Sequence, residues 1–144
     1  MSIALKNPSE LAARLEFARE MRILLVDAPD ELAAILRTAL PDATLESVAE
    51  KGLRGVKDCF DAVLVWRENR AGAQTLLESA RKRVSDGGAL WIVTAMRKVT
   101  GPATPASHRI ERRDLEKILA RFGLACDRET RVSAWHEAYR FRKS

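Results

Sequence analysis

Two kinds of hydrophobic pattern alternate along the chain. Continuous apolar runs, typical of strands that are buried on both faces, occupy residues 22–26, 60–66 and 89–94. Apolar residues at three- and four-residue spacing, typical of amphipathic helices, recur over residues 8–19, 29–40, 71–84 and 112–122. Weaker, alternating patterns predict further strands at residues 43–48, 124–132 and 135–142. The chain therefore alternates helices and strands, as an α/β protein does.

The connections between these elements contain turn-forming residues. Residues 49–59 hold two glycines but are too few for a helix and a strand, so we predict a loop with at most two helical turns. Residues 85–88 should end the third helix, with a glycine in the left-handed cap conformation. Residues 95–110 are polar, contain Pro102 and Pro105, and form a long predicted loop.

The alternation of strands and helices predicts a mostly parallel, open sheet with helices on both faces. The last two predicted strands are joined by Ser133 and Ala134, and so short a turn cannot make a parallel crossover. We therefore predict a three-layer α/β fold that closes with an antiparallel hairpin. At 144 residues, the chain should form a single domain over residues 1–144, with an N-terminal helix at about 8–19.

Composition excludes several classes of protein. A hydrophobic fraction of 47% and a charged fraction of 31% are those of a globular chain, not of a disordered one. No apolar run approaches the ~20 residues that span a bilayer, and the start of the chain lacks the apolar segment of a signal peptide. We therefore expect a cytoplasmic protein without a membrane partner. Cys59 and Cys126 are far apart, and we expect them to be buried, reduced thiols.

The net charge of +5 is unevenly distributed. Residues 97–144 hold 12 Lys and Arg against 6 Asp and Glu, whereas residues 1–96 hold 13 against 14. A basic last third is typical of a surface that meets nucleic acid or an anionic ligand, and also of ordinary solvated arginines. Nucleic acid is therefore one alternative partner, and its binding would depend steeply on salt.

The order of elements and two motifs resemble a known fold family. A doubly wound sheet that ends in a helix and an antiparallel hairpin is similar to the S-adenosylmethionine-dependent methyltransferase fold. FDAVLVW at 60–66 resembles the fourth strand of that family, and SDGGALWIVTA at 85–95 resembles the paired glycines that lead into its fifth strand. The resemblance covers most of residues 22–141, and it implies that one helix–strand unit before residue 60 is shortened or missing.

A closer resemblance is to a family of small uncharacterised bacterial proteins with a reduced form of this fold. It rests on LLVDAP at 24–29 in place of a glycine-rich loop, on DGGALW at 86–91, on Lys98 and on Trp135. In methyltransferases, glycines after the first strand let the backbone approach the cofactor. Here Pro29 removes a backbone donor, and Asp30 and Glu31 add negative charge. The resemblance implies S-adenosylmethionine as a cofactor, but this loop does not fit it, so we expect no cofactor.

A second resemblance is to a response-regulator receiver domain, through MRILLVDAPDEL at 21–32 together with FDAVLVW and IVTA. That family uses an acidic pair after its first strand to bind Mg²⁺ and an aspartate after its third strand to accept phosphate. Here Ala28 follows Asp27, and Trp66 and Arg67 stand at the phosphoacceptor place. The methyltransferase-like fold is therefore the better prediction.

Ligands of open α/β sheets bind beyond the carboxyl ends of the strands, so the candidate site residues are those near predicted strand ends. They are Asp27, Pro29, Glu46, Trp66, Arg67, Arg97 and Lys98. By the methyltransferase resemblance, Glu46 could hold the ribose of a cofactor. The three cations suit a phosphate or carboxylate, and Trp66 offers a stacking face. His136, beside Trp135, could line a pocket or pack on the edge of the sheet.

The sequence contains no P-loop, no nucleophile elbow and no paired spacing of metal ligands, so we predict neither catalytic residues nor a metal site. The leading hypothesis is a non-catalytic binding or regulatory protein on a degenerate methyltransferase-like scaffold. Its partner would be a small anionic ligand or a protein, and the N-terminal helix could mediate a homodimer. The alternatives are a divergent methyltransferase and a nucleic-acid binder.

Overall fold

The computed structural model describes residue 5, residues 10–97 and residues 99–143 of the chain. Within these residues the α-helices are α1 (Leu11–Arg14), α2 (Asp30–Ala39), α3 (Ala73–Arg81) and α4 (Arg112–Ala120). The strands are β1 (Arg22–Val26), β2 (Thr44–Val48), β3 (Phe60–Trp66), β4 (Val84–Ala95), β5 (Leu124–Arg131) and β6 (His136–Lys143). Short 3₁₀ helices occupy Glu50–Gly55 and Ala106–His108. None of the described helices is long and apolar enough to cross a membrane.

The strands form one sheet in the order β2-β1-β3-β4-β6-β5. The first four of these run parallel, and β6 lies antiparallel between β4 and β5. The predicted sheet, mostly parallel with an antiparallel C-terminal hairpin, is therefore confirmed, and this hairpin argues against a receiver-like fold. Between β2 and β3 the chain has a 3₁₀ helix and no full helix–strand unit, as the methyltransferase resemblance implied.

The sheet separates two hydrophobic cores, which makes three layers. On one face, alternate residues of the central strands pack with those of α1 and α2, in a cluster that includes Leu11, Leu15, Leu25, Leu32, Leu36, Leu64 and Val93. On the other face, the intervening residues pack with those of α3 and α4, in a cluster that includes Leu24, Val63, Val65, Leu77, Ile92, Leu115 and Leu119. Burial on both faces explains why β1 and β3 are apolar almost without interruption.

The N-terminal helix is shorter than predicted. A helix was expected at about 8–19, whereas α1 ends at Arg14, and residues 6–9 lie outside the described residues. Glu16 has a φ of 56°, which interrupts the right-handed helix. The chain turns there so that Phe17 is buried, while Ala18 is exposed.

Residues 85–88 do not end a helix, as was predicted, but belong to β4. Helix α3 already ends at Arg81, and β4 passes through the glycine pair with an irregularity opposite Asp61. Gly87 has a φ of 79°, and a Cβ on Gly88 would lie 2.8 Å from the backbone oxygen of Asp61. The glycines therefore permit a close, irregular pairing of β3 with β4 in place of a helix cap.

The two cysteines are free thiols. Cys126 on β5 is half-buried, whereas Cys59 is exposed, which corrects the prediction that both are buried. Cys59 precedes Phe60, which begins β3 and is itself fully buried, so the chain enters the core one residue after the cysteine.

Candidate functional site

The parallel strands end together at one side of the sheet, which we call the carboxyl edge. It consists of the segments that follow β1 to β4 and of the start of β6, namely residues 27–29, 49–50, 66–69, 95–97 and 133–136. The start of β6 belongs here because this strand is antiparallel, so that His136 pairs with Ala95 at the end of β4.

Most of the residues predicted from strand ends lie on this edge: Asp27, Pro29, Trp66, Arg67 and Arg97. Glu46 does not, because β2 continues to Val48; Glu46 pairs with Leu24 inside the strand, and its side chain is exposed. Lys98 lies outside the described residues.

Asp27 joins two loops of the carboxyl edge. Its φ is 56°, and its N–H donates to the carbonyl oxygen of Val48 at 2.9 Å. Its carboxylate oxygen Oδ1 accepts a hydrogen bond of 3.0 Å from the backbone N–H of Glu50. That N–H is the first of the 3₁₀ helix 50–55, so the Asp27 side chain caps this helix from a neighbouring loop.

Pro29 begins α2 at the same edge. It is the N-cap residue, and its carbonyl oxygen accepts hydrogen bonds from the N–H groups of Leu32 and Ala33. Asp30 and Glu31 occupy the first turn, where their charges interact favourably with the positive end of the helix dipole. A helix start is a common receptor for an anionic ligand. Here it already carries two carboxylates of the chain.

The guanidinium group of Arg67 forms hydrogen bonds and an ion pair with neighbouring residues of the chain. Nη1 lies 3.2 Å from Oε2 of Glu50, Nε donates to the carbonyl oxygen of Asn69 at 2.8 Å, and Nη2 donates to that of Ala71. Gly72, with a φ of 72°, leaves room for this group, since a Cβ there would lie 3.3 Å from Nη2. Arg67 therefore links the loop after β3 to the loop after β2, and Glu50 balances its charge.

A second set of contacts, the Glu68–His136–Ser133 cluster, runs from β3 to the C-terminal hairpin. Oε2 of Glu68 lies 2.7 Å from Nε2 of His136, whose Nδ1 lies 2.7 Å from Oγ of Ser133. The rings of His136 and Trp66 also meet, with centroids 4.5 Å apart. His136 is 2% exposed and Ser133 is 0% exposed, so these two side chains are sealed from solvent. Trp66 thus stacks within the protein and offers little of its face to a ligand.

The Glu68–His136–Ser133 cluster has the order of a hydrolytic triad but not its accessibility. The hydrogen bond with His136 lowers the pKa of Glu68 below its ordinary value, against the opposing effect of burial, so the site favours the carboxylate. A nucleophilic serine must reach its substrate, whereas Ser133 has no exposed surface, and its Oγ also accepts the N–H of Trp135 at 3.0 Å. The cluster therefore joins β3 to the hairpin and has no open nucleophile.

The long loop after β4 folds over the carboxyl edge and is organised by Arg109, which is 5% exposed. Nε of Arg109 donates to the carbonyl oxygen of Thr104, and Nη1 donates to those of Met96 and Val99, each at 2.8 Å. The N–H of Thr104 in turn lies 3.4 Å from Oε1 of Glu68. The loop is therefore tied both to itself and to the Glu68–His136–Ser133 cluster.

Gly101 brings the same loop against the last hairpin. A Cβ on Gly101 would lie 2.6 Å from Nε1 of Trp135, so a residue without a side chain lets the backbone rest on the indole ring. The N–H of Met96 donates to the carbonyl oxygen of Trp135 at 2.8 Å. Trp135 and His136, which the sequence assigned either to a pocket or to packing on the sheet, therefore pack.

A cavity of about 590 Å³ lies beside the carboxyl edge, between this loop and α4. The charged groups in its wall pair with one another: Nε of Arg97 is 3.3 Å from Oε1 of Glu111, and Nε of Arg113 is 2.9 Å from Oε2 of the same residue. The hydroxyl of Tyr139 donates to Glu137 at 2.6 Å, and burial together with this contact raises the pKa of the phenol. Arg97, which was expected to receive an anion, is therefore balanced by a carboxylate.

Several residues that shape this edge were absent from the predicted set: Glu50, Glu68, Arg109 and Ser133. Glu50 and Glu68 each follow the end of a strand by two residues, and this signal could have found them. Arg109 and Ser133 have no comparable signal, because their contacts arise from the path of a long loop and of a hairpin.

The sequence matches one protein family over most of its length. Residues 12–143 match the family described as "Protein of unknown function (DUF3052)", and the chain belongs to this family. No curated protein matches the sequence significantly.

Among the solved structures that share this fold are three methyltransferases. A SAM-dependent methyltransferase from Aquifex aeolicus has a TM-score of 0.68 and 12% identity, and the alignment covers 94% of this chain and 88% of the other. N,N-8-amino-8-demethyl-D-riboflavin dimethyltransferase from Streptomyces davawensis has a TM-score of 0.72 and 15% identity, with 95% and 53% covered. An O-methyltransferase family protein from Burkholderia thailandensis has a TM-score of 0.64 and 18% identity, with 95% and 54% covered.

The chain thus spans about half the length of the last two proteins. At these identities the likeness concerns the fold. It confirms the methyltransferase-like fold that the sequence predicted, in a small family without an assigned function.

Proposed function

We propose that this chain is a non-catalytic binding or regulatory protein on a methyltransferase-like scaffold. The observation that carries the proposal is the set of contacts among Asp27, Glu50 and Arg67 at the carboxyl edge. In folds of this kind, glycines after the first strand leave the backbone free to approach a cofactor. Here both the N–H and the carboxylate of Asp27 bind other parts of the chain.

Charge at the start of α2 supports the same proposal. A cofactor that carries a carboxylate, as S-adenosylmethionine does, gains from a helix start whose N–H groups are not already facing negative side chains. Asp30 and Glu31 occupy that turn, and Pro29 has no N–H to donate. Like charges at this position would repel the carboxylate of the ligand.

The positions of the cavities support the same proposal for the segments after β1 and β3. Asp27, Pro29 and Trp66 line none of five cavities in the described part of the chain, whereas Arg97 lines one of them. Small-molecule sites are usually concave and largely formed before the ligand arrives. Asp27, Pro29 and Trp66 therefore support packing of the loops better than binding of adenosine.

The alternative of a divergent methyltransferase draws its support from the shared fold and from Glu50. This carboxylate follows the end of β2, where the family resemblance implies an acid for the ribose of the cofactor. In the structure, however, Glu50 pairs with Arg67. A bound ribose would have to compete with that guanidinium group.

The alternative of a nucleic-acid binder loses support from the ion pairs of the last third. Arg112 lies 3.0 Å from Glu116 and 3.4 Å from Glu129, and Arg140 lies 2.8 Å from Asp127. Cations that are already paired with carboxylates contribute less to phosphate binding, because the protein partner must be displaced.

Calorimetry with S-adenosylmethionine and S-adenosylhomocysteine tests the proposal directly. We expect no binding of either compound up to about 1 mM, where a typical cofactor site would be saturated. Micromolar binding of either compound would overturn the proposal.

If either compound binds, two matched variants test whether Glu50 contributes to that binding. Glu50→Gln changes the carboxylate at the end of β2, whereas Glu46→Gln changes an exposed carboxylate inside the same strand. If the cofactor binds, and Glu50→Gln alone weakens it, the divergent methyltransferase becomes the better assignment. Transfer of a labelled methyl group would then be the next measurement.

A further inference from the structure

The side of the sheet where the parallel strands begin, which we call the amino edge, contains a further cavity. It lies where α3 ends, β4 begins and β6 finishes, and its volume is about 360 Å³. This is near the lower end of the range for small-molecule sites, roughly 300–1,000 Å³. It is separate from the carboxyl edge, since the parallel strands run from one edge to the other.

The floor of this amino-edge pocket is apolar. Leu90 of β4 and Phe141 of β6 are cross-strand partners and are buried, and Phe122 and Leu124 complete the floor from the end of α4 and the start of β5. An apolar floor that borders a cavity favours a ligand with a hydrophobic body.

Arg81 stands over this floor with unused hydrogen-bonding capacity. Its guanidinium carbon lies 4.1 Å from the centre of the Phe122 ring. Its Nε is buried and has no hydrogen-bond partner among the described residues. An unpaired buried donor on a charged group is costly, and Arg81 is also one of the residues that line the cavity.

Arg83, two residues along the chain, shows the contrast. Its guanidinium group donates to the carbonyl oxygens of Val56 at 3.2 Å, of Ser79 at 3.1 Å and of Arg54 at 3.3 Å. Both arginines are half-buried, yet one is satisfied by the backbone, whereas the other stacks on an aromatic ring and its Nε is unpaired.

The rim of the pocket carries an excess of positive charge. Lys82, Arg142 and Lys143 join Arg81 around the opening. Lys143 lies 3.6 Å from Asp86, and both side chains are largely exposed, so this pair is weak. Arg142 lies 3.8 Å from Asp127, a carboxylate that Arg140 already holds at 2.8 Å.

We propose that the amino-edge pocket binds a small amphipathic carboxylate, with its apolar body on the Leu90, Phe122 and Phe141 floor and its carboxylate on Arg81. A planar carboxylate matches the fork of donors on a guanidinium group, and the basic rim would attract it. Because this pocket shares no residue with the carboxyl edge, the inference does not depend on whether that edge binds a cofactor.

Titration of the isotope-labelled full chain with octanoate, followed by amide NMR, tests the proposal. Octanol is the control that keeps the apolar chain and lacks the carboxylate. Acetate is the control that keeps the carboxylate and lacks the apolar chain. We expect octanoate to shift the amide signals of Leu90, Phe122 and Phe141. We also expect it to bind about ten-fold more tightly than either control, because loss of the apolar chain or of the carboxylate should weaken binding by at least that factor. Octanoate that binds no better than octanol or acetate would overturn the proposal.

Two matched variants test whether Arg81 binds the carboxylate of octanoate. Arg81→Gln should weaken octanoate about ten-fold, as expected for loss of one charge-assisted hydrogen bond, whereas Arg121→Gln, exposed and outside the pocket wall, should leave it unchanged. Equal affinities for these two variants would contradict the proposal.

If Arg81→Gln proves to be unfolded by circular dichroism, Lys82→Gln decides, because its side chain is exposed. We then expect octanoate to bind about three-fold more weakly, and less so at high salt. No change in affinity for Lys82→Gln would count against a basic rim. S-adenosylmethionine bound at the carboxyl edge would leave all these outcomes intact, so the two proposals fail separately.

Discussion

At the carboxyl edge and the loop that covers it, half-buried Glu68 and buried His136 bind each other, and buried Arg109 binds the backbone. At the amino edge, in contrast, the buried Nε of Arg81 has no partner among the described residues. Both edges belong to the same sheet, and both are rich in charge. They differ in that one buried donor, Nε of Arg81, is left without a partner at the amino edge.

That difference is opposite to the usual position of ligand sites in an open α/β sheet. Ligands of such folds bind beyond the carboxyl ends of the strands. In this chain the polar groups at that position hold loops together, through Asp27, Arg67 and the Glu68–His136–Ser133 cluster. Unpaired buried groups lower stability, and such a cost is typical of functional sites. The amino edge is therefore where we expect a ligand.

The largest effect should come from His136. His136→Ala leaves Glu68 and Ser133 without their common partner in a buried site, so we expect the free energy of unfolding to fall by about 3 kcal/mol. Urea unfolding followed by circular dichroism measures this change. The matched control is His108→Ala, at an exposed position in the short 3₁₀ helix, which should change the same quantity by less than about 0.5 kcal/mol. A loss below about 1 kcal/mol for His136→Ala would mean that the cluster does not hold this edge together.

Arg109 should have the next largest effect. Arg109→Lys keeps the charge but loses the planar fork that reaches the carbonyl oxygens of Thr104, Met96 and Val99, so we expect a loss of about 2 kcal/mol. Hydrogen exchange of the amides in residues 99–108 should become faster. Arg113→Lys, at an exposed ion pair with Glu111, is the control and should leave that exchange unchanged. Protection that survives Arg109→Lys would contradict the assigned role of this side chain.

Acid should loosen the carboxyl edge through Glu68. Its pKa is lower in the folded chain than its ordinary value, so the unfolded chain takes up this proton first as the pH falls. The contribution to stability is therefore complete above the ordinary range of a glutamate and is lost as the pH falls through the folded pKa. We expect Glu68→Gln to lose about 1 kcal/mol near neutral pH and progressively less in acid.

Urea unfolding of both proteins between about pH 3 and pH 7 makes the comparison. Glu46→Gln, an exposed carboxyl group on β2, is the control for removal of a charge outside the cluster. Curves for Glu68→Gln and the original chain that stay parallel over this range would contradict the prediction.

The fold was predictable because its determinants are local or periodic. The apolar runs at 22–26 and 60–66 match β1 and β3 residue for residue, since strands buried on both faces tolerate few polar side chains. The short turn at Ser133 and Ala134 required an antiparallel pair. The end of the N-terminal helix was not predictable, because the positive φ of Glu16 serves the burial of Phe17, a contact between distant parts of the chain.

The candidate site was predictable in position but not in content. Strand ends placed Asp27 and Arg67 on one edge, because parallel strands finish together. That Arg67 is balanced by Glu50 depends on the path of a loop that the sequence left open. Arg81 carried no signal at all, since a missing partner is a property of the folded environment and not of the residue pattern.

The smallest expected effect is also the sharpest contrast between the two edges. Arg81→Leu keeps an apolar contact with Phe122 and removes an unpaired buried donor, so we expect the free energy of unfolding to change by less than about 0.5 kcal/mol. Arg83→Leu, the matched control, leaves several carbonyl oxygens without a donor and should cost about 2 kcal/mol by urea unfolding. Equal losses in the two variants would show that Arg81 supports the fold as Arg83 does, and the amino edge would then differ from the carboxyl edge only in shape.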